Sequence, residues 1–176
     1  MQIGNFIGDF VKGKAYENYP SSIQKGILQH RYIDDFTDHH ATVLEAKILL
    51  HGAFGHYAGV VLDMYYDHFL ATNFTQYNSL SLSRFSRRFY WTMIYHYRNL
   101  PKDVRAFIWH FISSNRLCRY ASLNGLQQSL EIMVRYKPLK LKAEEAITFL
   151  ITHYQLFQDN FRTFFPDVIR AVSNYK

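Results

Sequence analysis

Residues 29–40 read QHRYIDDFTDHH and place His30, Asp34, Asp35, Asp38, His39 and His40 within little more than three helical turns. His30, Asp34 and Asp38 are spaced i, i+4, i+8, which in a helix stacks one imidazole and two carboxylates on one face. A second segment, HYAGVVLDMYYDHFL, sets Asp63 and Asp67 four apart, with His56 one heptad before Asp63 and His68 directly after Asp67. Its other residues are mostly apolar, so the segment is expected to be largely buried. Unpaired buried carboxylates are costly and normally find a partner or a metal. Asp9, in the apolar stretch NFIGDFV, raises the same question a third time.

Carboxylates and imidazoles drawn from three segments suit a hard or borderline divalent cation such as Mn²⁺, Mg²⁺ or Fe²⁺, which takes oxygen and nitrogen ligands. Such an ion lowers the pKa of bound water and neutralises a phosphate, so the expected chemistry is hydrolysis of a phosphate ester. The competing reading is a solvated helix face on which Asp34 or Asp35 pairs with Arg31, since His/Asp pairs at i, i+4 are common there. His39 and His40 fall near the expected helix end and suit the C-terminal dipole. His51, His96, His110 and His153 sit among apolar residues and are read as core or boundary histidines.

The elements that must position these residues read as helices. Only 4 Pro and 8 Gly occur in 176 residues, and turn signals fall at long intervals, so the expectation is an all-α, single-domain helical bundle over 1–176. GNFIGDFVKG (4–13) predicts a helical turn or two, followed by the loop KAYENYP. A long helix begins after Pro20 with Ser21 or Ser22 as N-cap. Further helices are predicted at 42–51, 57–73, 83–97, 101–115 and 122–136. Pro138 closes that run, and a last helix spans 143–174 with a break at Pro166. The chain is long enough to bury a core, and its apolar content of 48%, with 18% aromatics, excludes disorder. A lone cysteine, Cys118, excludes an intramolecular disulfide and a Cys-based zinc site. With no signal pattern and no apolar run of about 18 residues, a cytoplasmic protein without a membrane span is expected.

Formal net charge is +6, and it is unevenly placed: acidic residues outnumber basic ones as far as Asp67, and basic ones dominate from His68 onward. The basic half offers Arg84, Arg87, Arg88, Arg116 and Arg119, with Arg135 and Lys137, as a surface for an acidic partner. Basic residues interleaved with the aromatics of FYWTMIYHY (89–97) would also suit a non-catalytic module binding single-stranded nucleic acid. That near-continuous aromatic run fits a buried helix better, and no nucleic-acid-binding motif is present.

GNFIGDFVKG, GILQHRYIDDFTD and LDMYYDHFL, in this order and at these separations, resemble the acyl carrier protein phosphodiesterases, and YASLNGLQQSLEIMVRY (120–136) and FRTFFPDVI (161–169) resemble that family's C-terminal half. The resemblance covers nearly the whole chain. It implies an all-α fold distantly related to the HD phosphohydrolases, with Mn²⁺ as the ion and holo-acyl carrier protein, an acidic protein, as the substrate. The reaction implied is hydrolysis of the phosphodiester that joins 4′-phosphopantetheine to a serine, giving apo-carrier protein. Asp9 matches the family's Gly-Asn-x-x-x-Asp motif, His30 and Asp34 its His-Arg-x-Ile-Asp, and Asp63, Asp67 and His68 its Asp-x-x-x-Asp-His-Phe. The implied metal ligands are Asp9, His30, Asp34, Asp63 and Asp67, with Asp34, Asp67 and His68 as catalytic groups. Arg31 is then a candidate phosphate contact, with an ion pair to Asp34 or Asp35 as its competing role. Two features depart from the family. No counterpart of its early Asn-Phe-Leu-Ala-His segment occurs, so a shortened gene model, or His56 as a substitute, is expected. The His-Asp dipeptide of HD proteins is also absent, and only the reversed Asp38-His39 and Asp67-His68 occur. An HD-like hydrolase acting on a nucleotide or another phosphoester is the second enzymatic reading.

Overall fold

Two glycines let the first two helices meet almost backbone to backbone. Helix α1 (Gln2–Ile7) lies on α2 (Ser21–His39); a Cβ on Gly4 would fall 2.0 Å from the Ile23 carbonyl oxygen, and one on Gly26 2.1 Å from that of Met1. This crossing sets the height at which the 3-10 turn Gly8–Phe10, which carries Asp9, meets α2. The computed structural model describes residues 1–136 and 140–175. Among these, helices α3 (Ala41–Phe54), α4 (Ala58–Thr72), α5 (Phe74–Tyr77), α6 (Leu82–Tyr95), α7 (Lys102–Ser113), α8 (Arg116–Arg119), α9 (Leu123–Tyr136), α10 (Ala143–Thr152) and α11 (Tyr154–Asn174) complete an all-α fold with no strand. No helix of the described residues is long and apolar enough to cross a membrane.

The apolar residues form two cores. One is built from α3, α4, α9, α10 and α11 around Leu62, Tyr65, Phe69, Phe157 and Phe161. The other is built from α1, the first half of α2, α6 and α7 around Ile7, Ile27, Met93 and Ile108. Helix α2 joins them: Ile23 and Ile27 belong to the second core, whereas Ile33 and Phe36 pack on the first. His30 therefore sits where this helix changes core, and the candidate site lies along the seam. Helix α4 is the central element of the first core; it buries nine of its residues and is apolar nearly all round, the pattern of an enclosed helix.

Three expectations need correction. The N-cap of α2 is Pro20, with Ser21 as its first residue and no side-chain cap. The long C-terminal helix breaks at His153, which leaves helical geometry between α10 and α11, and α11 runs through Pro166. Proline removes one backbone hydrogen bond, and Phe161, Phe164 and Val168, buried on both sides of it, hold the helix together. The aromatic run of α6 is amphipathic: Phe89, Tyr90 and Met93 are buried, but Trp91 and Tyr95 are 71% and 85% exposed. Pro138 and Lys137 lie outside the described residues.

Candidate active site

Asp9, His30 and Asp34 converge. His30 Nε2 lies 3.4 Å from an Asp9 oxygen and 3.0 Å from an Asp34 oxygen, and one donor atom from each of the three residues lies within 4.8 Å of the others. The carboxylates remain open to water, with side chains 72% and 51% exposed, while His30 is 17% exposed. Its Nε2 is buried and within reach of both carboxylates. A nitrogen lone pair and two carboxylates directed at a common point, without a thiolate, form a donor set that fits a hard or borderline divalent cation. Without a cation, polar contact with Asp9 is the main cause raising the His30 pKa, burial opposes it, and the Asp34 charge adds to the rise. Gly8 makes the approach possible, because a Cβ there would stand 2.1 Å from His30 Cδ2.

Across the seam, α4 turns Asp63 and then Asp67 toward the same region. Asp63 stays open to water yet is crowded by protein; this desolvation pushes its pKa up to about 6, with Lys47 opposing and Asp34, Asp38 and Asp9 adding to the rise. Both observations describe a recess that water still enters. Asp67, deeper in, is pushed up to about 7 by burial and by the Asp63 charge. Neither joins the tight Asp9, His30, Asp34 group, so three of the five implied ligands meet and two stand apart from them. Lys47, which the sequence reading did not single out, pairs with Asp38 at 2.7 Å, and its charge opposes the rise at Asp63. Since the folded pKa values of Asp63 and Asp67 lie above the ordinary carboxylate value, the folded state keeps protons that the unfolded chain releases. The chelator-treated protein should then be destabilised as pH rises from about 4 through 7. Asp67→Asn removes one of these groups. Its Tm advantage over wild type should be near zero at pH 4 and grow to roughly 5 °C at pH 8, read by thermal melts in chelator.

Other predicted residues fall elsewhere. His68 does not face the recess. It is 3% exposed, its Nδ1 lies 2.8 Å from the Tyr120 carbonyl oxygen, its Nε2 lies 3.1 Å from the Tyr154 hydroxyl, and burial lowers its pKa. Both ring nitrogens are committed to tying α4 to Tyr120 and α11, which corrects its reading as a catalytic group. His68→Ala should cost about 2–4 kcal/mol of stability and leave the activity per folded molecule within roughly threefold of wild type. Thermal melts paired with active-fraction-corrected kcat test this.

Arg31 pairs with neither Asp34 nor Asp35. Its guanidinium donates to the carbonyls of Val11 (2.8 Å) and Gly13 (2.7 Å) and lies over the Tyr16 ring, so it clamps the segment that follows Asp9. His39 bonds the Asp35 carbonyl oxygen, His40 caps the α2–α3 junction beside Asp167, and His56 stacks on Tyr57. Of the five arginines read as a partner surface, Arg84, Arg87 and Arg88 are exposed on α6. Arg116 and Arg119 instead donate to Ser129 and Gln128 and tie α8 to α9.

The family model described as acyl carrier protein phosphodiesterase matches residues 1–168. Relatives named acyl carrier protein phosphodiesterase include one from Yersinia pestis, 32% identical over 177 residues, covering 98% of this chain and 90% of the relative. One from Photorhabdus laumondii is 28% identical (98% and 87% covered), and one from Klebsiella pneumoniae is 30% identical (97% and 89% covered). No solved structure matches significantly. With its motifs in order along a match that takes in nearly every described element, the chain belongs to the acyl carrier protein phosphodiesterase family.

Proposed function

We propose that this protein is a metal-dependent phosphodiesterase that hydrolyses the bond between 4′-phosphopantetheine and the serine of holo-acyl carrier protein. The observation that carries the reading is the convergence of the buried His30 Nε2 with the carboxylates of Asp9 and Asp34, 3.4 and 3.0 Å away. Asp9, His30 and Asp34 would hold the ion, Mn²⁺ first and Mg²⁺ or Fe²⁺ next. A bound divalent ion supplies Lewis acidity, lowering the pKa of its water and screening the phosphate charge. Asp63, open to water and with a pKa close to neutrality, takes the proton of the attacking water at a carboxylate oxygen. The water oxygen bonds to phosphorus, the bond from phosphorus to the serine oxygen breaks, and that oxygen takes up a proton, giving apo-carrier protein and free 4′-phosphopantetheine. Arg31 acts on this chemistry through position, since it holds the turn that presents Asp9.

Helix α6 provides the docking face. Arg84, Arg88, Trp91 and Tyr95 fall at i, i+4, i+7 and i+11 on its exposed stripe, with Arg87 beside them, a combination suited to an acidic helix. The test is Mn²⁺-dependent release of 4′-phosphopantetheine from holo-acyl carrier protein. Wild type should release it. The variant Arg84→Glu/Arg87→Glu/Arg88→Glu should show KM raised about tenfold or more with kcat little changed, an effect that weakens in high salt. Hydrolysis of nucleotide phosphoesters without release from carrier protein would instead favour the second enzymatic reading. Absence of any metal-dependent hydrolysis would overturn both.

A further inference from the structure

A cavity of about 290 Å³ lies between α7 and α9, where the two cores meet. Phe107 and Phe111, which pack on the second core, form one wall; Met133, which packs on the first, forms the other. Ala106 lies at the exposed rim. Two connections tie this cavity to the candidate site. The Phe107 ring lies 5.9 Å from that of Phe10, the residue directly after Asp9. Arg116 lines the cavity, and the Tyr120 hydroxyl is close enough to feel the charges of both Arg116 and Asp67.

The lining is mostly apolar, with Asp103 and His110 on its exposed side and one half-buried polar group, Arg116. Arg116 gives Nη1 to the Ser129 carbonyl oxygen at 3.2 Å, but its Nε is buried without a hydrogen-bond partner. A buried donor left without a partner is destabilising, and an acceptor brought in by a ligand would relieve that cost. We infer that this cavity receives the pantetheine arm of the substrate, with the arm's gem-dimethyl group against Phe107 and Phe111 and an amide carbonyl accepting from Arg116 Nε. The inference rests on the proposed reaction and adds a subsite to it. The chemistry matches in kind: a narrow apolar chain carrying two amides requires an apolar slot with few, well-placed donors. It also separates two arginine roles, Arg116 holding the arm and the α6 arginines holding the protein.

The experiment measures binding of free pantetheine, which lacks the phosphate, to the chelator-treated protein by calorimetry, alongside KM and kcat for holo-acyl carrier protein with Mn²⁺. Ala106→Trp, at an exposed rim position, should fill the cavity without disturbing the fold. It should weaken pantetheine binding at least tenfold and raise KM, while kcat on a small chromogenic phosphodiester stays at the wild-type level. Arg116→Gln should weaken binding severalfold, and Arg116→Lys should not restore it, because lysine has no donor at the Nε position. Unchanged pantetheine binding and KM in Ala106→Trp would overturn the subsite and leave the proposed reaction standing. Failure of wild type to release the arm from holo-carrier protein would overturn that reaction, and pantetheine binding lost in Ala106→Trp would still assign the cavity.

Discussion

His30→Ala should lower Mn²⁺-dependent release of 4′-phosphopantetheine by at least about a hundredfold and abolish the rise in Tm that Mn²⁺ gives the wild type. The magnitude follows from position: residues that merely orient a metal ligand cost about 10- to 100-fold when removed, and a ligand itself costs more. His30 is the least exposed of the three converging residues and the only nitrogen donor, so its loss leaves Asp9 and Asp34 as two facing carboxylates with water between them. The Tm readout is independent of turnover. An ion that binds only the folded state stabilises it by RT ln(1 + [L]/Kd), so a wild-type melt that climbs with Mn²⁺ and a His30→Ala melt that does not would locate the ion at this residue. A variant whose Tm still tracks Mn²⁺ as wild type does would remove His30 from the ligand set. Asp9→Asn and Asp34→Asn should follow His30→Ala in direction, and His68→Ala should not, since His68 lies in the core with both nitrogens committed.

That contrast shows what could be read from sequence. The stacking of His30 and Asp34 was legible because i, i+4 spacing survives any packing. His68 was misread because it follows Asp67 directly; successive residues on a helix point about 100° apart, so a neighbour in sequence is a stranger in space. When Asp67 turns toward the recess, His68 must turn into the core. The same geometry explains Arg31, which follows His30 and points back over the Gly13–Asn18 turn rather than into the site. The outward stripe of α6 was legible in principle, since Arg84, Arg88, Trp91 and Tyr95 share one helical face, but a run of aromatics conceals its polarity when read as a block. Lys47 was not legible: its pairing with Asp38 depends on the angle between α2 and α3, which no local pattern encodes. The break at His153 was likewise hidden, because Pro166 gave the stronger local signal and tertiary packing overrode it.

Gly8→Ala should lower kcat/KM by about a hundredfold while leaving every chemical group of the site in the chain. A methyl at this position would overlap His30 Cδ2, Cγ and Cβ at 2.1, 2.3 and 2.7 Å, all closer than non-bonded atoms can approach. The strain does not come from the backbone: Gly8 is right-handed helical at φ −51° and ψ −44°, a conformation alanine prefers. The whole effect must come from the collision, so either the Asp9 turn lifts or the imidazole rotates, and each breaks the convergence of Asp9 with His30. A displacement of about 1 Å in such a constellation is enough for a hundredfold loss, and overpacking costs about 1–3 kcal/mol in stability. A double-mutant cycle makes the cause testable. In the His30→Ala background two of the three colliding atoms are gone, so most of the stability cost of Gly8→Ala should vanish and the two substitutions should be strongly non-additive. Additive costs would mean that Gly8 matters for a reason other than room for His30, and the close approach would lose its role in building the site.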